Sequence, residues 1–285
     1  MLVEPVQSRR PEFVPIDFLK EVRVITAASG TALIFDEVIT GFRMHPGGAQ
    51  ALFGIKADLA SYGKVVGAGL PIGVIAGKRE FMDALDGGFW QYGDASVPEA
   101  GVTYFAGTFV RHPLALAAAR ASLRYMNDAG PGLQQNLNRK TKRLADAMNT
   151  VVDQRQMPFH IVYYGSLWKI KFDTDILYGE LLFTLMREKG IHIWDGFPCF
   201  MTESHTDAEL DAIIRQFTDS IDELITAGLF AGKAAETPKP VTVGPILAAK
   251  PPVPGARIGR DKQGNPAWFV LNPAQPGNYL QVESR

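Results

Sequence analysis

The run Ala32-Leu33-Ile34-Phe35, closed by Asp36-Glu37, constrains this chain more than any other stretch. Four apolar residues without polar alternation suit a strand covered on both faces, the usual state of a parallel strand under helices. Comparable short strands are predicted at Asp58-Leu59-Ala60-Ser61-Tyr62 and at Ile72-Gly73-Val74-Ile75-Ala76. Helical spacing fills much of the space around them, over 18–28, 78–85 and 113–127. Alternating strands and helices predict an α/β domain with a largely parallel sheet.

The start, Met1-Leu2-Val3-Glu4-Pro5-Val6, reads as the end of an apolar strand followed by a Pro-bearing loop. It has neither the basic region nor the long apolar core of a signal peptide. A domain seldom opens partway along a core strand, so coding sequence upstream of Met1 is expected to be missing. No apolar run approaches the ~20 residues that cross a bilayer, so no membrane partner is expected. A net charge of −1 gives no general reason to expect nucleic acid either. Cys199 is the single cysteine, which excludes an intrachain disulfide, suits a reducing, cytoplasmic setting and reads as a small core side chain.

Beyond Gly130-Pro131-Gly132 a long amphipathic helix is predicted over 133–154, then strands at 160–164 and 167–172. A helix over 176–189, a short strand at 191–193 and a last helix over 206–226 complete a small α+β domain. The last helix opens on Thr206-Asp207-Ala208-Glu209, a capping-box pattern in which the Thr oxygen and the Glu carboxylate satisfy exposed amides reciprocally. Residues 229–285 hold nine of the 19 prolines and predict an extended linker. The chain thus divides into a large parallel-sheet domain at 1–129, a small domain at 130–228 and a Pro-rich interdomain linker at 229–285.

Chemistry is expected where Asp36 ends its strand, because crevices form at the carboxyl ends of parallel strands. Lys64 stands in Tyr62-Gly63-Lys64-Val65-Val66-Gly67-Ala68-Gly69, beyond a helix-sized insert, so its turn can open on the same edge. A carboxylate and an amine converging there form an ion pair, or flank a cofactor that needs both. Pyridoxal phosphate is such a cofactor. Its aldehyde bonds an accessible, partly desolvated lysine, and its pyridine nitrogen stays protonated beside an aspartate. Gly63, Gly67 and Gly69 let the backbone pass close to it. The apolar strand ending in Asp-Glu also resembles a nucleotide hydrolase, but that reading needs a G-x-x-x-x-G-K-[ST] loop, and Val65, Arg79 and Ala234 follow the three Gly-Lys pairs. His45, His160, His192 and His205 lack metal-ligand spacing, so no metal is expected. Trp194-Asp195 reads as core packing in preference to a substrate wall.

The segments Ile34-Phe35-Asp36-Glu37-Val38-Ile39-Thr40-Gly41-Phe42-Arg43, Ala57 to Lys64, and Gly67-Ala68-Gly69-Leu70-Pro71-Ile72-Gly73 together resemble the signature of class III pyridoxal-phosphate aminotransferases of the glutamate-1-semialdehyde aminomutase type. The resemblance implies a fold-type-I transferase, with 1–129 the later part of its large cofactor-binding domain. It implies that Asp36 holds the pyridine nitrogen, Val38 packs under the ring and Lys64 bonds the aldehyde. Tyr104-Phe105-Ala106-Gly107-Thr108-Phe109 resembles the segment whose Gly-Thr binds the cofactor phosphate of a neighbouring subunit, so Gly107 and Thr108 imply a homodimer with shared sites. The match runs over about 2–228 and omits the family's earlier segment, with its own phosphate loop and stacking aromatic. The chain alone is therefore expected to bind cofactor weakly or not at all, and an inactive remnant is the non-enzymatic alternative.

Phe197-Pro198-Cys199-Phe200, where the aminomutase has a carboxylate, is similar to aminotransferase domains of cyanobacterial hybrid polyketide–nonribosomal peptide synthetases of the microcystin or nodularin kind, as is the tail from Pro251 to Phe269. That likeness implies toxin biosynthesis, neighbouring synthetase domains, and transfer of an amino group from a donor such as glutamate to a carrier-bound β-keto acyl chain. A free-standing aminomutase-like enzyme is the alternative.

Overall fold

The computed structural model describes residues 1–87, 90–98, 107–232, 253–262, 266–273, 275 and 278–282. The chain forms two units, Met1–Ala234 and Ala235–Arg285. In the first, β1 (Leu2–Val3), β2 (Ile34–Asp36), β3 (Leu59–Tyr62) and β4 (Val74–Gly77) lie side by side in that order. The pairs β1–β2 and β2–β3 are parallel. Helix α1 (Ile16–Ala28) covers the sheet, burying Leu19 and Val22 in one core with Leu33 and Phe35. Phe35 is fully buried, worth about 1.5–3 kcal/mol against exposure.

Strand β4 departs from the parallel expectation and runs antiparallel to β3. Only residues 63–73 connect the two, fewer than the dozen or so a parallel crossover takes, so the chain must double back. Helix α2 (Gly48–Phe53), in the β2–β3 connection, was not read from the sequence. Helices α3 (Arg79–Asp86) and α4 (Pro113–Ala129) lie close to their predicted spans.

A second core in the same unit gathers α5 (Gly132–Arg155), the hairpin β5 (Phe159–Tyr164) and β6 (Leu167–Phe172), α6 (Leu181–Glu188) and α7 (Asp207–Thr226). Helix α7 carries the capping box, with Thr206 Oγ1 accepting the Glu209 amide and the Glu209 carboxylate accepting that of Thr206. Two expectations fail here. Helix α6 starts at Leu181, after turns that include Tyr178 at φ +63°. Ile191–Ile193 makes no strand. Ile191 donates to the Met186 carbonyl at 2.8 Å, past Gly190 at φ +87°, and so closes α6. The third strand is instead β7 (Cys199–Phe200), antiparallel to β6.

The second unit also differs from the extended-linker expectation. Strands β8 (Arg257–Arg260), β9 (Pro266–Leu271) and β10 (Tyr279–Val282) form an antiparallel sheet in the order β10-β9-β8. Proline is compatible because Pro266 opens its strand, where no interior ladder bond is lost. A Cβ at Gly259 would lie 2.8 Å from the Phe269 ring, so glycine makes room for that ring.

Candidate active site

Parallel pairing sets Asp36 opposite Ser61, both at the carboxyl ends of their strands. Ser61 Oγ donates to Asp36 Oδ1 at 2.9 Å, and the Val38 amide donates to the same oxygen at 3.1 Å. Both contacts aim the half-buried carboxylate along the sheet edge. Glu37, one residue on, points the opposite way and is fully buried. Its Oε2 accepts from Thr40 Oγ1 at 2.9 Å and the Ala49 amide at 2.7 Å, and its Oε1 accepts from the Gln50 amide at 3.1 Å. Glu37 thus satisfies the first free amides of α2 and locks the turn that follows Asp36. Burial, then the Glu37 charge, pushes the Tyr62 phenol above its ordinary value, against a smaller lowering by Gln50.

Strand β3 leads through Gly63 into a 3₁₀ turn, Lys64–Gly67. A Cβ on Gly63 would lie 3.2 Å from the Ile72 carbonyl and 3.4 Å from Val38 Cγ1, so this glycine lets Val38 sit against the Lys64 turn. Lys64 has φ +44°, a left-handed conformation that an L side chain adopts only when its surroundings impose it. Asp36, Val38 and Lys64 thus come to one edge of the sheet. Lys64 is exposed, not partly desolvated as expected, and no ion pair among the described residues includes it. The simple ion-pair reading of Asp36 and Lys64 is therefore not realised.

Gly107 and Thr108 lie on a different cleft, of about 860 Å³, with Pro71 to Ile75 and the start of α4. His112 caps that helix, its Nδ1 accepting the Ala115 amide at 3.4 Å. Tyr104, Phe105 and Ala106 of the same motif lie outside the described residues.

Other side chains depart from their sequence reading. Trp194 is 65% exposed and stacks on Phe197 with ring centroids 4.0 Å apart, so it is not core packing. Cys199, by contrast, keeps its reading as a small core side chain: it is half-buried against the second core, and burial pushes its thiol up to about 12, which leaves it unreactive at neutral pH. Arg43 ends the motif that begins at Ile34. Burial lowers its guanidinium to about 10, and its Cζ lies 4.0 Å from the Phe200 ring centroid. The segment after Asp36 is held from the second core as well. Gln134 donates to the Phe42 carbonyl at 3.0 Å and Asn138 to that of Met44 at 3.1 Å.

Residues 1–221 match the model of the family described as aminotransferase class-III. The chain belongs to the class-III aminotransferases. That membership removes the nucleotide-hydrolase reading. The chain is 32% identical over 235 residues to glutamate-1-semialdehyde 2,1-aminomutase of Archaeoglobus fulgidus, covering 78% of this chain and 53% of that protein. Among solved structures, an omega-transaminase from Sphaerobacter thermophilus superposes with a TM-score of 0.66 at 25% identity, over 77% of this chain and 51% of that one. A transaminase with PLP bound gives 0.68 at 25% identity, over 80% and 52%. The architecture is that of fold-type-I pyridoxal-phosphate transferases. The chain spans about half the length of the curated relatives it matches.

Proposed function

We propose that this chain carries out pyridoxal-phosphate-dependent amino transfer, with Lys64 as the amine and Asp36 as the carboxylate across the cofactor ring. The observation that carries this reading is the fixing of Asp36 by Ser61 and Val38 at the strand edge where the Lys64 turn begins. The residues fit the group. A half-buried carboxylate already aimed by two donors suits a protonated ring nitrogen, and glycine at 63 leaves Val38 free to pack under a flat ring. When bound, the cofactor supplies an electron sink that makes the bond at a substrate carbon easier to break. Asp36 holds the proton on the ring nitrogen. Lys64 Nζ accepts a proton from the substrate carbon and returns it as general base and acid. Gly107 and Thr108 serve the phosphate of a neighbouring copy, which makes the working unit a homodimer. The domain division at 129/130 and 228/229 belongs to the same proposal.

For the acceptor, the reading supported by Phe197-Pro198-Cys199-Phe200 and the Pro251–Phe269 tail is a β-keto acyl chain on a carrier domain of a hybrid polyketide–nonribosomal peptide synthetase. Glutamate would become 2-oxoglutarate as the acceptor ketone becomes an amine, a one-for-one exchange of oxygen and nitrogen. The second reading, intramolecular amine transfer within a small substrate, is favoured by the aminomutase relatives.

Two experiments test this. Incubation of the chain completed by the family's earlier segment with pyridoxal phosphate, then borohydride reduction and peptide mass spectrometry, should place the adduct on Lys64 and lose it in Lys64→Ala; an adduct scattered over surface lysines would defeat the assignment. Supplying ¹⁵N-glutamate with a β-keto acyl thioester to the chain completed by the family's earlier segment should yield a ¹⁵N-labelled β-amino product. Amine exchange that needs no separate donor would favour the aminomutase reading.

A further inference from the structure

Arg43 is a cation held in place with few of its donors used. Its Nε donates to the Ile39 carbonyl at 2.9 Å, and its flat face lies on Phe200. No carboxylate pairs with it among the described residues. Stacking offsets part of the cost of burying the charge, about 0.5–2 kcal/mol, but it satisfies no terminal N–H. Those N–H groups lie in the guanidinium plane, as a fork suited to a carboxylate.

Arg43 lines a small cleft of about 180 Å³ whose wall is mainly apolar, with Ser122, Tyr125, Ser166, Thr202 and Glu203 as its other polar members. Glu203 lines the same cleft as Arg43 without pairing to it, so an opening with a cation and an anion on its wall stays unfilled by protein. Its floor is rigid. The Phe42 and Met44 carbonyls are held by Gln134 and Asn138, and Ser122 Oγ donates to the Val65 carbonyl at 3.1 Å, next to Lys64. At ~30 Å³ per water the cleft holds about six waters' worth of ligand. Drug-sized ligands need roughly 300 Å³ or more, which excludes an acyl chain or a cofactor.

We propose that this cleft binds a free α-amino acid as its zwitterion, with the Arg43 fork taking the carboxylate and Glu203 taking the ammonium group. The site requires neither pyridoxal phosphate nor Lys64, and so stands apart from the transfer reaction.

Isothermal titration of the cofactor-free chain tests it with L-alanine, propionate, ethylamine and inorganic phosphate. L-Alanine should bind, with propionate and ethylamine each weaker by about tenfold or more, the scale of one charge-assisted hydrogen bond. Glu203→Gln, an exposed change that spares the fold, should weaken L-alanine about tenfold and leave propionate unchanged. Arg43→Gln should abolish binding of both; if it unfolds the chain, the ligand series and Glu203→Gln decide alone. Lys64→Ala should bind like the native chain. No binding of L-alanine, equal binding of propionate, tighter binding of phosphate, or loss in Lys64→Ala would each overturn the proposal, the last without touching the transferase reading.

Discussion

Replacing Asp58 by Asn should cost about 2–4 kcal/mol, and the structure says where that loss arises. Asp58 is 4% exposed at the mouth of β3. Its Oδ2 accepts the Leu33 amide and Arg23 Nη1, each at 2.8 Å, and its Oδ1 accepts Lys78 Nζ at 2.6 Å. One carboxylate therefore joins the start of β2, helix α1 and the end of β4. Lys78 is 48% exposed and recovers water when the charge is lost, so its share is about 0–1 kcal/mol. Arg23 is 22% exposed and recovers less, about 1.5–3 kcal/mol. The Leu33 amide keeps an acceptor if the Asn oxygen turns toward it, and otherwise adds about 1–3 kcal/mol. Burial alone pushes the Asp58 carboxyl up, but the Leu33 amide, Lys78 and Arg23 together more than reverse this and hold it well below the usual carboxylate range. A folded-state value below the unfolded one means stability gained at neutral pH. The contribution is full above about pH 5, begins to fall as the unfolded carboxyl protonates near ~3.9, and is gone only below the folded value. Urea unfolding of native and Asp58→Asn chains from pH 7 to 3 measures this. The gap should be widest at neutral pH and narrow on acidification. Double-mutant cycles should give a larger coupling to Arg23 than to Lys78. A gap below about 0.5 kcal/mol at pH 7, a gap that widens in acid, or the reverse order of couplings would refute the reasoning.

Glu37→Gln should cost about 2–3 kcal/mol in the same assay, because an amide replaces the buried carboxylate facing Thr40, Ala49 and Gln50; equal stability would mean water serves those donors. Gly48→Ala should be destabilising by more than about 1 kcal/mol, since φ is +68° and the added Cβ would fall on the Glu37 carboxylate. Thr206→Ala removes the Oγ that accepts the Glu209 amide and should lower stability by about 1 kcal/mol, read as a shift in the urea midpoint.

How much of this was legible in the residues depends on how local the cause was. The apolar run at 32–35, the acid that ends it, the glycines around Lys64 and the Thr206–Glu209 box are short-range facts, and each element they predict is present. Strand direction at β4 was legible in principle from connection length, since the same apolar residues serve either direction. Ile191–Ile193 misled because two isoleucines around a histidine close a helix as readily as they make a strand, and packing in the second core decided. Trp194 misled because aromatic character alone does not say whether a ring faces the core.

Sequence by itself determined the class of the chain and put Asp36 and Lys64 at the ends of neighbouring strands, because strand periodicity, capping and residue type act over a few neighbours. Tertiary structure alone decided that Glu37 serves the amides of α2, that Gln134 and Asn138 hold the segment after Asp36, and that Arg43 lies on Phe200 beside Glu203. Those pairings join residues far apart in the chain, and they depend on which faces are buried together, which no local pattern encodes.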